Sequence, residues 1–179
     1  MVNATQISYR QIMRTPLGKI TSYDGPGENT EPPRLLLAVG HPAEIADGCL
    51  NLFRGLVNGA LSPRDRKLAT LAIAAAIENA YEWHHHTGSA LTMGITQADI
   101  DAIKDGETYS LAPHDRVVVD LGQAVERQGV TDELWAQATA EFDTEQLVQL
   151  TVLCAYYGML GRVQAALQVD QDEGFAAAY

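Results

Sequence analysis

Cysteine is scarce in this chain. There are two, Cys49 and Cys154, far apart and in no C-x-x-C. That excludes a disulfide framework and a thiol pair that cycles through a disulfide. Basic residues are outnumbered: 12 lysines and arginines against 23 aspartates and glutamates give a net charge of −11. Such a surface repels DNA or RNA, so no nucleic-acid partner is expected. Long hydrophobic runs are missing too. The most apolar stretch, Leu68 to Ala80, is interrupted by Thr70, Glu78 and Asn79 and is too short to cross a bilayer. The opening segment, Met1 to Gln6, lacks the basic start and apolar run of a secretory leader. Together these absences lead to the expectation of a protein of the reducing cytoplasm, with no membrane partner.

What is present is a chain of 179 residues, 46% of them hydrophobic. That is enough for one domain with one sizeable core. Pro16, Gly18, Gly25, Pro26, Gly27, Pro32 and Pro33 punctuate the start, so residues 1–40 read as an irregular arm with at most a short helix near Ser8 to Arg14. Residues 41–168 read as a helical domain and 169–179 as a tail. Pro42 suits a first helical turn, and Ile45, Cys49, Leu52, Phe53 and Leu56 follow at helical spacing up to Gly59. Ser62, Pro63 and Asp65 form a start signal of the capping-box kind, followed by Leu68, Leu71, Ala72, Ala75 and Asn79 on one face. A further helix carries Glu82 to Met93 and stops at Gly94; its continuity with the one before is open.

Thr96 with Asp99 caps a short helix that turns Ile100 and Ile103 inward and ends near Gly106. Another runs from Pro113 to about Gln128. One after Thr131 holds Leu134, Trp135 and Ala138. Asp143 with Gln146 caps the last, whose stripe is Leu147, Leu150, Cys154, Tyr157 and Gly161. No segment alternates with period two for long. Val117 to Val119, the one β-branched run, lies between helical signals. The fold class is therefore all-α.

The densest chemistry is Tyr81-Glu-Trp-His-His-His86, which holds three of the five histidines. On a helix, Glu82 and His86 stand at i and i+4 and share a face, and His85 is nearly as close to Glu82. A carboxylate beside an imidazole is an acid–base pair: it holds one ring nitrogen protonated and turns the other towards a substrate. The same spacing also occurs as an ordinary surface pair, worth only a few tenths of a kcal/mol. The apolar helix before it favours burial, and a buried Glu and His need partners. Three successive histidines cannot share one metal ion, since helical neighbours point about 100° apart. No H-E-x-x-H or Cys/His spacing is present. No metal or cofactor is expected. His84 is expected to face solvent or a neighbouring subunit.

At these residues the sequence resembles a known family. Leu61-Ser-Pro-Arg-Asp-Arg-Lys-Leu-Ala-Thr-Leu71, Tyr81 to His86, Ala90 to Gly94 and Ile95 to Ile100 are similar to the carboxymuconolactone decarboxylase family, which shares its fold with the alkylhydroperoxidase D-like proteins. The likeness spans Leu61 to Ile103 and continues more loosely from Asp115 to Arg162. It implies a single-domain antiparallel helical bundle, a homo-oligomer (trimer or hexamer), and a small-molecule pocket beside the Glu/His helix. In the peroxidase branch a C-x-x-C precedes the His; here Asn79 and Glu82 stand in those places. In the decarboxylase branch a Glu and a His four residues later match Glu82 and His86. Many relatives carry a Glu where this chain has Lys67; Lys67 is expected to be solvated.

The resemblance thus implies a cofactor-free lyase on a small carboxylate or carbonyl compound. His86 is the expected acid–base group, Glu82 orients it, and His85 assists. Tyr81, Tyr156, Tyr157 and Arg162 are candidates to steady an anion or anchor a carboxylate. Helix packing is the plainer reading of both Tyr156 and Tyr157, and a structural ion pair is an equal reading of Arg162. Two alternatives stay open: an isomerase, dehydratase or cyclase using the same pair, and a non-catalytic oligomeric binding protein.

Overall fold

The computed structural model describes residues 33–41 and 43–172. The expected helix near Ser8 to Arg14 and the role of Pro42 lie outside them. All regular elements among the described residues are helical: α1 (Arg34–Val39), α2 (Ala43–Val57), α3 (Pro63–Ala76), α4 (Ala80–Thr92), α5 (Gln97–Asp105), α6 (Pro113–Glu126), α7 (Asp132–Glu141) and α8 (Thr144–Leu167), with a short 3-10 turn at Thr108–Ser110.

The middle of the bundle is α3. Leu68 through Ala74 are buried on every face, and α3 packs on α4, α5, α6 and α8. Its small residues make this possible. Gly122 of α6 is so near that an added Cβ would sit 3.3 Å from Ala72 Cβ and 3.5 Å from Cys154 Sγ. The α8 stripe of Leu147, Leu150, Cys154, Tyr157 and Gly161 is buried as its periodicity predicts. The β-branched run Val117 to Val119 lies inside α6, with Val118 and Val119 in the core.

Start signals hold where the side chains are local. Thr96 with Asp99 and Asp143 with Gln146 form complete capping boxes, and Thr131 caps α7. Ser62 caps α3 by accepting from Asp65 N, but the Asp65 carboxylate does not close a box. It faces His114 Nε2 at 3.0 Å instead, a long-range partner stronger than a local amide.

Helices α3 and α4 are separate. Glu78 takes a left-handed conformation (φ 52°) between them. Asn79, expected on the α3 face, caps α4 by accepting from Glu82 N at 2.8 Å, and it donates to Gly161 O on α8 at 3.1 Å. Two apolar stripes turn out differently from their spacing. On α2, Ile45 and Leu52 are exposed, and Ala46, Leu50 and Leu56 are buried, because α2 sits at the edge and packs chiefly on α1 and α8. On α7, Ala138 points inward and Trp135 outward for the same reason.

The segments flanking the domain also depart from expectation. Arg34–Val39, within the arm read as irregular, forms α1, with Leu35, Ala38 and Val39 buried. Past α8, Asp170, Gln171 and Asp172 fold back along α1 and α4.

Candidate active site

The α4 cap sets the register of the site. With Asn79 fixing the first turn, Tyr81, Glu82, His85 and His86 turn toward α8 and α1. Together with Tyr156 and Tyr157 they line a cavity of about 150 Å³, roofed by Leu35 and Leu36. Six of the seven expected site residues are therefore brought together. Arg162 is not. Its guanidinium pairs with Glu126 on α6, because a residue five positions past Tyr157 sits about 140° further round the helix.

Glu82 is buried, and its Oε2 lies 3.3 Å from His86 Nε2. The other ring nitrogen, Nδ1, lies 2.7 Å from Lys67 Nζ. An ammonium has only protons to give, so Nδ1 accepts from Lys67 and Nε2–H donates to Glu82. Burial pulls the His86 imidazole below its ordinary pKa; Glu82 opposes this and the Lys67 charge adds to it. Burial likewise lowers the Lys67 ammonium to about 8, against the pull of Glu82. Lys67 is thus not solvated as expected. It ends a three-member chain, Lys67–His86–Glu82, that starts on α3 and reaches the cavity on α4. His86 does not offer a free nitrogen to the cavity; the carboxyl of Glu82 is the chain's inner end.

A second cluster lies on the same wall. Tyr81 Oη donates to Asp172 Oδ2 at 2.5 Å, and His85 Nε2 is 2.8 Å from the same oxygen. Arg34 N donates to Asp172 Oδ1 at 2.8 Å. The Tyr81 and His85 rings stack with centroids 4.4 Å apart. Burial raises the Asp172 carboxyl, but the bonds from His85, Tyr81 and Arg34 outweigh it and the net pKa is lowered. Sequence reasoning missed Asp172 because it lies in what reads as a tail, 87 positions beyond His85. His84 is half-buried, with its Nδ1 3.3 Å from Gln171 Nε2.

The tyrosine hydroxyls are occupied. Tyr156 Oη donates to Cys49 O at 3.3 Å, and Tyr157, whose hydroxyl neighbours that of Thr70, meets His86 edge-on at 5.2 Å. Burial pushes all three phenols, Tyr81 included, far up. Their main contribution is shape. Among the described residues no group of three His, Cys, Asp or Glu side chains is arranged to hold a metal. Nor is any helix among them long and apolar enough to cross a membrane.

The sequence model of the carboxymuconolactone decarboxylase family matches residues 43–124, from α2 through most of α6. Residues 43–124 belong to the carboxymuconolactone decarboxylase family. Both Lys67 and the Glu82/His86 pair fall inside that span; α8 and Asp172 lie past it. No curated protein matches the chain. Solved structures share the fold at low identity. A cysteine-to-alanine variant of the debrominase Bmp8, in complex with 2,3,4-tribromopyrrole, superposes with a TM-score of 0.68 at 17% identity, over 80% of this chain and 79% of that one. An uncharacterised peroxidase-related protein of Silicibacter sp. TM1040 gives 0.70 at 14%, over 80% and 78%. An uncharacterised peroxidase-related protein of Ralstonia eutropha JMP134, described as an alkylhydroperoxidase AhpD core, gives 0.69 at 16%, over 80% and 78%. These likenesses show the alkylhydroperoxidase D-like fold for this chain. The peroxidase label does not transfer with the fold, since Cys49 and Cys154 form no pair.

Proposed function

We propose that the chain is an acid–base enzyme that forms and reprotonates an enolate-type anion of a small carbonyl compound. The observation that carries this reading is the Lys67–His86–Glu82 chain ending at a largely apolar cavity. A surface Glu–His pair would not be buried, nor backed by a half-buried lysine.

Glu82 is the group that exchanges a proton with substrate. As carboxylate, it takes a proton from carbon next to a carbonyl, and the electron pair left behind becomes the enolate. Returning the proton to a different carbon completes an isomerisation. In the lyase form of the same chemistry, the C–C bond to a carboxylate breaks, carbon dioxide leaves, and its electron pair makes the enolate. Protonated Glu82 then supplies the carbon's new proton. The relay restores Glu82: Nε2–H of His86 gives up a proton as Nδ1 takes one from Lys67, and the ring changes tautomer. A Lys67 pKa of about 8 suits a donor that works near neutral pH. His85, fixed through Nε2 by Asp172, is the second acid–base group on the wall.

The test is to incubate the protein in deuterated water with a panel of small enones and β-keto acids, following deuterium uptake and gas release. Glu82→Gln and Lys67→Met are run beside it. Turnover that disappears in Glu82→Gln and falls in Lys67→Met supports the relay; undiminished turnover in folded Glu82→Gln sinks it.

A further inference from the structure

Among the described residues, the cavity that Glu82 faces holds no anchor for an anion. Among the described residues no lysine or arginine side chain lines it. Lys67 is behind His86. Arg162 is turned outward onto Glu126. Arg34 pairs with Asp170 at 3.7 Å, and Arg66 bonds Leu61 O. The carboxylate on the wall is Glu82 itself, and His85 already faces Asp172. The apolar lining includes Leu35, Leu50, Phe53 and Leu160. A carboxylate placed here would lose its hydration, meet another carboxylate and find no compensating cation, an arrangement that costs several kcal/mol or more. The volume is equally telling: about 150 Å³ is the size of an apolar cavity that takes up benzene.

Resting on the proton-transfer reading above, we propose that the substrate is a neutral carbonyl compound about the size of a single ring, and that the reaction is a proton shift without loss of carbon dioxide. For a β,γ-unsaturated ketone the step balances with no co-reactant. Glu82 takes the proton on the carbon between carbonyl and alkene, and the C–H electron pair enters a dienolate. The same proton returns to the far alkene carbon, giving the conjugated ketone. The apolar wall holds the ring, and a wall with no cation among the described residues rejects the acid.

The experiment compares two isosteric probes on the full chain by titration calorimetry at pH 7.5: benzamide, which is neutral, and benzoate, which is an anion. Benzamide is expected to bind at least about tenfold more tightly, the order of difference that one unpaired buried charge imposes. Glu82→Gln is expected to narrow that gap by improving benzoate. Benzoate binding as tightly as benzamide, or neither probe binding, overturns the proposal. A separate arm follows isomerisation of cyclohex-3-enone. Selective benzamide binding without isomerisation sinks the proton-transfer reading and upholds the neutral site. Isomerisation with equal binding of the two probes does the reverse.

Discussion

Lys67 and His86 come from different helices and meet at 2.7 Å, Nζ to Nδ1. That contact fixes which way the imidazole is protonated, and it turns a two-residue pair within α4 into a relay that crosses from α3.

Removing Lys67 tests the relay directly. Its charge helps to hold the His86 pKa down, so in Lys67→Met the His86 titration, read by NMR, is expected to move up. Proton exchange on a turned-over substrate is expected to fall by roughly a hundredfold, the lower end for loss of a general acid–base group. An unmoved His86 titration would mean the contact has no electrostatic weight.

The same lysine makes stability pH-dependent. Its folded pKa of about 8 lies below the ordinary 10.5, so between these values the unfolded chain binds more protons. Stability therefore rises as pH goes from 8 to 10.5 and is lost as pH falls back through 8. Lys67→Met removes the cost of burying the ammonium. At pH 7 it is expected to be more stable than the wild type by about 1–2 kcal/mol, after discounting for partial exposure. Urea unfolding at pH 7 and pH 10 checks this, with the advantage shrinking at the higher pH.

Asp172 gathers Arg34 N, Tyr81 Oη and His85 Nε2 on one carboxylate. Asp172→Ala leaves those groups without their acceptor and loosens α1 from α4, with Leu35 N still donating to Tyr81 Oη at 3.3 Å. A loss of roughly 2–3 kcal/mol is expected, in line with hydrogen bonds to a charged group. Amide exchange in 34–39 is expected to speed up more than in α3. Equal acceleration everywhere would show general unfolding rather than release of α1.

Gly161 sits against the α3–α4 corner. A Cβ there would lie 2.3 Å from Ile77 Cδ1 and 3.2 Å from Asn79 Nδ2, and Asn79 is the cap that sets the α4 register. Gly161→Ala is expected to cost about 1–3 kcal/mol, as overpacking does, and to weaken benzamide binding by moving Glu82. Thermal unfolding with calorimetry reads both.

The thiols are expected to be inert. Burial lifts Cys154 to about 12 and also raises Cys49, so little thiolate exists at neutral pH. A disulfide-exchange reagent should label the native protein slowly and the unfolded protein fast. Cys49→Ala with Cys154→Ala should keep any proton-transfer activity. Rapid labelling of native Cys154 would contradict its place in the core.

Capping signals and the α8 stripe were legible because they act within a turn or two: Thr96 with Asp99, Asp143 with Gln146, and Leu147 to Gly161. The pairing of Glu82 with His86 was legible for the same reason, as four residues are one helical turn. Ile45, Leu52 and Trp135 misled, since periodicity shows that a face is apolar but not that a neighbour covers it. Arg162 was open between an anion anchor and an ion pair, and Glu126 on α6 decides for the pair.

The sequence by itself determined an all-α chain, the starts of α3, α5, α6, α7 and α8, the lack of a thiol pair and a helix where Glu82 and His86 share a face. These follow from covalent spacing and local hydrogen bonds. Only the tertiary structure decided that Lys67 lies behind His86, that Asp172 returns to Tyr81 and His85, and that the cavity wall carries no Lys or Arg among the described residues. Those are contacts between residues 19 to 91 positions apart. They depend on how α3, α4, α8 and the segment after it pack, and the burial that shifts the Lys67 and His86 pKa values exists only once they have packed.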